Sequence, residues 1–494
     1  MLLEVVIAIA TTWLVYWLGK TYQARKWGPP GPFPLPGIGN LHQLGASPPF
    51  TLDHLWQTYG DVYQITFPVG TFVVVNSGRA AREALVTRKD DFAGRPTELM
   101  YPIDVILEGK NLGNGDYGPQ LVFKRKILKS ALHVFGEGVE RAAVRVNRAV
   151  IDLLKHTENK RKEAFYIQDY ISSAIASQLW EWLTSKKTSF DDASLHEVIA
   201  FNENVTSLAR QGNYYQMLPL LTYLPTAFVK QLQNTLRMRD DIYACELDEH
   251  RLTYVDGCIR DVTDALISSY HVEKAKCSDR EVGPIEDLKF LMIDVVLAGA
   301  DTSRTVVAWC VFFLVVQKEL QNELQQEIDR AADEDHYLLW EQVKNLPKLQ
   351  SFVCEVLRYT AIFPWMPHKT IRDTTLNGYH IAKNTPIFIN FYRIHRDINE
   401  WDEPEVFKPH RFLDSDGNFV GWKAKKGFLP FGIGRRFCLG QELGKMQVFG
   451  MVANLLHQFT LELPAGDPIP SILDSKKSFV HQPPSHRVIA TKRR

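Results

Sequence analysis

The chain has 494 residues, more than a usual single domain, so it holds either one large domain or several. Lysine plus arginine and aspartate plus glutamate both number 57, so no overall field points to nucleic acid as a partner. Six cysteines, at positions 245, 258, 277, 310, 354 and 438, form no closely spaced framework, which fits a reducing compartment.

From Met1 to Leu18 the chain is apolar apart from Glu4, Thr11 and Thr12, close to the ~20 residues that span a bilayer. No basic region precedes this run and no small-x-small site closes it, as a cleaved signal peptide requires. Lys20, Arg25 and Lys26 follow instead, and positive charge stays cytosolic. Residues 1–19 therefore read as one uncleaved transmembrane anchor, with the body in the cytosol and the sequon at Asn204-Val-Thr206 unused. Trp27 to Gly37 is rich in proline and glycine without helical or strand periodicity. Residues 20–45 read as a basic, proline-rich hinge, stiff and polyproline-like, with a disordered linker as the alternative.

In the body, residues 46–494, the runs Val62–Phe67 and Thr71–Val75 flank Pro68-Val-Gly70 and predict a strand hairpin. A helix is expected from Gly78 to Thr87. Residues 94–119 are rich in Gly, Pro and Asn and read as a long loop, and long loops in compact domains tend to be functional. The next helix carries Lys124, Arg125, Lys126 and Lys129, a solvated basic face by default. From 139 to 271 the pattern is mainly helical, broken at Gly212-Asn213 and by Pro219 and Pro225. The apolar connection from Tyr214 to Pro225 reads equally as core or as a lid that dips into a membrane.

Glu286 to Leu320 predicts one very long helix; Asp294, Asp301 and Arg304 argue against a second membrane span. Within it lies Ala298-Gly-Ala-Asp-Thr-Ser303. A glycine inside a helix marks close approach or distortion, and an acid followed by a hydroxyl can pass protons into a dry pocket. Glu355 and Arg358 share a helix face at i, i+3, among Phe352, Val353, Val356 and Leu357. Residues 374–381 and 385–392 predict strands.

The most informative stretch is Phe428-Leu-Pro-Phe-Gly-Ile-Gly-Arg-Arg-Phe-Cys-Leu-Gly440. Gly432 and Gly434 let the backbone turn and approach a flat ligand. Arg436 supplies a donor fork suited to a carboxylate. The apolar periodicity after Gly440 predicts a helix, which places Cys438 near its N-terminus, where thiolate is favoured over thiol. A hydrolase cysteine wants a His base in a nucleophile context, and zinc wants more Cys or His at short spacing; neither is present. A single axial thiolate to haem iron remains.

Through Phe431, Gly434, Arg436, Cys438 and Gly440 the segment resembles the haem-binding signature F-x-x-G-x-R-x-C-x-G of the cytochromes P-450. The likeness extends from the anchor to the C-terminus, with the motifs in family order. It is greatest to animal microsomal enzymes that hydroxylate drugs and steroids, through the hinge, Phe92-Ala-Gly-Arg-Pro96 and Ala298–Thr302. The resemblance implies a mainly α fold with a small β-rich lobe, and 46–494 as the haem-thiolate catalytic domain. It implies haem b, with Cys438 as iron ligand and Phe431, Gly432, Arg436 and Gly440 in the cofactor loop. Arg125 and His368 would meet the propionates, with a satisfied core histidine as the alternative for His368, although Leu121 stands where the family has tryptophan. Asp301 and Thr302 would be the acid–alcohol pair of oxygen activation, and Arg411 would join Glu355 and Arg358 in a structural triad.

The reaction implied is insertion of one oxygen atom of O2 into a lipophilic small molecule: a steroid, a fatty acid or a xenobiotic. Electrons would come from an NADPH-dependent flavoprotein reductase, with cytochrome b5 as a further candidate donor, because the chain has no G-x-G-x-x-G in a βαβ setting. Lys423, Lys425, Lys426, Arg435 and Lys445 flank the cysteine loop and, with Lys124, Lys126 and Lys129, would form a positive docking patch. The implied location is the endoplasmic reticulum membrane, single-pass. Substrate contacts are expected from 94–118, 205–225, 294–302, 363–369 and 476–481. Two other readings stand beside this one: a haem-thiolate isomerase or dehydratase acting on a peroxide without reductase, and a membrane-anchored haem or sterol carrier.

Overall fold

The computed structural model describes residues 2–45, 47–135, 138–160, 163–217, 219–278, 281–332, 337–477 and 479–493. Met1 of the expected anchor, Ala46 and Arg494 at the ends of the expected catalytic domain, Arg161 and Lys162 in the helical stretch, Leu218 in the expected lid and Ser478 in the C-terminal turn lie outside them. The chain divides into two compact units. The first comprises Met1–Leu99, Phe363–Pro404 and Lys425–Phe437; the second comprises Met100–Ile362, Glu405–Ala424 and Cys438–Arg494.

The first unit begins with the helix Leu2–Trp27, which continues past residue 19 through the basic segment. Val5, Ile7, Ile9, Val15 and Tyr16 are all more than half exposed along it. Its long, exposed apolar stretch has the length and hydropathy to cross a bilayer. Residues 29–40 then lie on the first strand. The Gln64 amide donates to Pro30 O (2.8 Å), the Asn40 amide to Thr66 O (2.6 Å), and the Thr66 amide to Asn40 Oδ1 (2.9 Å). A Cβ on Gly31 would meet Gln64 O at 1.9 Å, so the proline-rich run is pressed against this strand and needs glycine there.

That strand, β1 (Val62–Phe67), pairs antiparallel with β2 (Gly70–Val75). Four further strands follow: β3 (Trp365–Lys369), β4 (Thr374–Leu376), β5 (Tyr379–Ile381) and β6 (Pro386–Asn390). The main sheet has the order β1-β2-β6-β3, with β2 and β6 parallel, while β4 and β5 form a separate hairpin. Side chains alternate across it. Val62, Val73, Val75, Ile387 and Ile389 bury against Ala80, Ala81 and Ala84, and Tyr63, Ile65 and Val74 against Leu52, Leu55 and Trp365.

Two expected elements differ here, and one strand, β3, was not expected. The single strand expected over 374–381 is folded back at Asn377 and Gly378, both with positive φ, the turn an Asn-Gly pair favours. The helix expected to Thr87 starts at Gly78, capped by Ser77 Oγ accepting from the Ala80 amide, and widens into a π turn at Glu83–Thr87. β3 contains Pro367, which a strand tolerates at a sheet edge, and β3 is the edge.

The second unit is mostly helical. Its core is the helix Leu288–Val316, 29 residues and about 44 Å at ~1.5 Å per residue. From Thr305 to Val315 every residue is buried, which makes this a core helix and not a span. It stops at Gln317, whose ψ of 83° breaks the helix, so Lys318–Ala331 is a separate helix where one continuous rod to Leu320 was expected. Gly299 marks close packing: a Cβ there would come 2.9 Å from Leu179 Cδ1 on the helix Ile167–Thr184. Ser303 Oγ donates to Gln447 Oε1 (2.7 Å), and Gln447 Nε2 to Gln178 Oε1 (3.1 Å). This buried chain ties three helices together, the third being Gln441–Gln458. The helix Ala193–Met217 runs unbroken through Gly212. That glycine serves close approach instead of a break, since a Cβ would lie 2.1 Å from Tyr101 O. β7 (Phe459–Glu462) and β8 (Ile489–Lys492) form a small C-terminal pair.

Candidate haem site

The cysteine loop crosses from one unit to the other at the Phe437–Cys438 peptide. In the first unit its backbone is fixed by the Leu429 amide donating to His395 Nε2 (3.1 Å) and the Gly427 amide to Glu400 Oε2 (3.2 Å). Gly432 and Gly434 have φ of 66° and 75°. A Cβ on Gly434 would sit 1.8 Å from Leu85 O, inside the π turn, so only glycine passes there. Gly434–Arg436 forms one 3-10 turn. Arg436 Nε donates to Ala93 O (2.8 Å), and Phe431 is half-buried.

His368, on β3, is buried, and its Nδ1 donates to Phe92 O (2.9 Å). Burial, then the charges of Arg95 and Arg436, hold its pKa well below the ordinary imidazole range. The ring is therefore neutral, with its one proton on Phe92 and Nε2 left as an acceptor. Donation from His368 to a propionate needs a second proton. Arg95 is buried, donates to Pro367 O and acts on the same imidazole as Arg436. It was not among the residues expected at the site. Its signal was present in Phe92-Ala-Gly-Arg-Pro96, a buried arginine between a glycine and a proline.

In the second unit Cys438 precedes the helix Gln441–Gln458, whose N-cap is Gly440. Although Cys438 has exposed surface, protein atoms crowd its sulfur, and that desolvation pushes the thiol up. The Gly440 amide and the charge of Arg125 pull the other way without reversing it. Desolvation thus outweighs the pull toward thiolate expected at the helix N-terminus. Deprotonation waits on a bound cation. Arg125, on the helix Pro119–Phe135, is itself partly desolvated, and Leu121 is buried one turn before it.

Asp301 and Thr302 follow each other on the Leu288–Val316 helix but have separate partners. Thr302 Oγ1 donates to Ala298 O one turn back (2.7 Å). Asp301 accepts from Thr206 Oγ1 (2.9 Å) and pairs with Arg304 (2.9 Å). Glu355, Arg358 and Arg411 do converge. Arg358 grips Glu355 in a fork at 2.7 and 2.8 Å, Arg411 Nε lies at 3.1 Å, and the Lys408 amide adds a fourth donor at 2.8 Å. All three side chains are buried.

The basic patch is smaller than expected. Lys124 is buried, donating to Asp287 Oδ2 (2.8 Å) and Lys110 O (2.9 Å), so it is not part of a solvated face. Lys126 pairs with Glu273, Arg435 with Asp90 and Lys445 with Glu442. Lys129, Lys423, Lys425 and Lys426 are exposed.

The family model described as Cytochrome P450 matches residues 29–490. A steroid 17-alpha-hydroxylase/17,20 lyase of Ictalurus punctatus is 29% identical, covering 94% of this chain and 90% of its own. A cytochrome P450 1A1 of Limanda limanda is 32% identical, over 92% and 90%. A solved zebra fish cytochrome P450 with progesterone superposes with a TM-score of 0.80 at 26% identity, covering 90% of this chain and 99% of that one. The mainly α fold with its small β-rich unit is the one these proteins share. Their cofactor, haem b held by a cysteine thiolate, fits the donors present. The first unit carries Arg95 and Arg436, guanidinium groups suited to its carboxylates, and the second carries the Cys438 thiol with the charge of Arg125 acting on it. With motif, fold and family model in agreement from the hinge to the last strand, the chain belongs to the cytochrome P450 family and is a haem-thiolate monooxygenase.

Proposed function

We propose that Cys438 is the axial ligand and that the chain oxidises a lipophilic small molecule (a steroid, fatty acid or xenobiotic) with electrons from NADPH through a separate flavoprotein reductase. The observation that carries the reading is the pairing of the Gly440 amide and the Arg125 charge on one sulfur inside the ten-residue signature. When bound, haem supplies the O2 chemistry. Arg95, Arg125 and Arg436 would hold its carboxylates, Phe431 and Gly432 would border it, and His368 would add a donor only by taking a second proton. Thr302 Oγ1 would present its hydroxyl proton, and Asp301, once it lets go of Thr206 or Arg304, would take up a proton from solvent and pass it on to replace that one. Glu355, Arg358 and Arg411 keep the fold behind the loop.

The substrate class rests on relatives named for steroid hydroxylation and on the neighbour solved with progesterone. Residues 1–19 anchor the chain in the endoplasmic reticulum membrane through the Leu2–Trp27 helix, and residues 20–45 are the hinge to the catalytic domain. Leu220, Tyr223 and Leu224, exposed by 80%, 85% and 51%, supply a second membrane contact. Cytochrome b5 is a further electron donor.

The test is NADPH and O2 consumption by the purified holoprotein with a microsomal flavoprotein reductase, across a panel of steroids, fatty acids and drugs. Oxygenated product formed only with reductase supports the reading. Turnover of an organic peroxide without reductase, and none with it, would sink it in favour of an isomerase.

A further inference from the structure

A cavity of about 430 Å3 lies where the anchor helix meets the hinge, lined by Leu18, Tyr22, Arg25, Lys26 and Phe33. Its floor is fixed. Phe33 belongs to the segment pinned on β1, its carbonyl accepts from Asn40 Nδ2 (3.2 Å), and its ring packs edge-on against Trp17 with centroids 5.8 Å apart. Arg25 binds the hinge backbone, donating to Gly31 O (2.5 Å) and Pro32 O (3.0 Å), with its guanidinium carbon 5.6 Å from the Phe33 centroid. Those partners are neutral carbonyls, so the charge of Arg25 is not cancelled. Lys26 Nζ lies 5.2 Å from the Trp27 centroid. Among the described residues no carboxylate pairs with either cation.

The position in the chain selects the ligand. The apolar run ends at Leu18 and the charges begin at Lys20, so the cavity sits at the depth where a bilayer changes from acyl chain to headgroup. Tyr16, Trp17 and Tyr22, within about one turn of that boundary, and Phe33 on Trp17 give that level its aromatic side chains. The lining is divided to match: Leu18, Tyr22 and Phe33 face a chain, and two uncompensated cations face a head. We infer that this cavity binds one anionic phospholipid of the membrane the anchor crosses, with its phosphate and acidic headgroup on Arg25 and Lys26 and the top of an acyl chain on Leu18 and Phe33. The inference rests on the anchor reading. A lipid held there would stiffen the anchor–hinge joint and set how the catalytic body sits above the membrane.

The test uses the full-length holoprotein. Flotation with vesicles of phosphatidylcholine alone comes first: a protein that fails to float refutes the anchor reading itself. The protein is then extracted in detergent and titrated with phosphatidylserine or phosphatidylcholine under native mass spectrometry. One phosphatidylserine should be retained in preference to phosphatidylcholine, with roughly fivefold preference contributed by each cation. Lys26→Gln should remove about one such factor, and Arg25→Gln, which also loosens the hinge, at least as much. Heat stability and haem content should stay at wild-type levels in Lys26→Gln, which separates a binding loss from misfolding. Equal retention of both lipids by wild type, an unchanged preference in Lys26→Gln, or displacement of the lipid by excess inorganic phosphate would each overturn the inference.

Discussion

At Gly434 and Gly432, two glycines two residues apart carry different burdens. Gly434→Ala sets a Cβ 1.8 Å from Leu85 O, a backbone atom that cannot move aside cheaply. The cost should exceed ~3 kcal/mol and appear as loss of haem-loaded protein. Gly432 also has positive φ but nothing within 4 Å, so Gly432→Ala should cost only ~1 kcal/mol and keep its haem. A thermal melt of both holoproteins checks the contrast. Asp294 gives a pH signature. It accepts from Asn111 Nδ2 (2.8 Å) and the Leu112 amide (2.5 Å), yet desolvation pushes its pKa up to about 6. A carboxyl with a raised folded pKa binds more protons folded than unfolded, so its stabilisation is present at low pH and is lost as pH rises through 6. Relative to Asp294→Asn, wild type should lose stability between about pH 4 and about pH 6, on the order of 2 kcal/mol after discounting for partial solvent access. Parallel melting curves for the two proteins would remove that assignment. Residue identity made Cys438, Arg436 and Thr302 legible in the sequence, because their motif lies within a few neighbouring positions. Arg95 stands in an equally local segment, but its contact with Pro367, like that of His368 with Phe92, joins positions some 270 apart and is not written in any local pattern.

At the scale of elements, legibility followed the range of the forces. The Leu288–Val316 helix and the β1–β2 hairpin are written in local periodicity and turn residues; the hairpin stands where the pattern places it, and the helix does so up to its break at Gln317. β3 was hidden by Pro367, whose tolerance depends on being at a sheet edge, a property no local window contains. The proline-rich hinge gave no sign that it would be pinned along β1 by Pro30, Asn40 and Gly31. The buried Glu355–Arg358–Arg411 cluster welds the helix Pro347–Thr360 to the segment after Glu405. Glu355→Ala would leave two arginines buried without a counter-charge, and breaking such a pair costs ~3–5 kcal/mol. Expression of that variant should yield little folded haem protein. A wild-type melting temperature would show that water, and not Glu355, neutralises the arginines.

For the whole molecule, the functional predictions concern the membrane and the electron donor. Exposed Lys423, Lys425 and Lys426, with Lys129, are the cations of the expected patch left to steer an acidic partner once Lys124, Lys126, Arg435 and Lys445 are paired internally. Charge reversal at Lys423, Lys425 and Lys426 should slow reduction by the flavoprotein and flatten its salt dependence, leaving substrate affinity unchanged. Stopped-flow reduction insensitive to both would move the docking face elsewhere. Every such reaction presupposes one bond, from Cys438 to iron. The most direct measurement is therefore the absorption spectrum of the reduced, carbon-monoxide-bound holoprotein beside that of Cys438→Ser. Wild type should show the red-shifted Soret band of a thiolate adduct, and the variant should lose it while retaining its helical circular dichroism. A thiolate-type band that survives in the folded Cys438→Ser protein would contradict the assignment on which the proposed function stands.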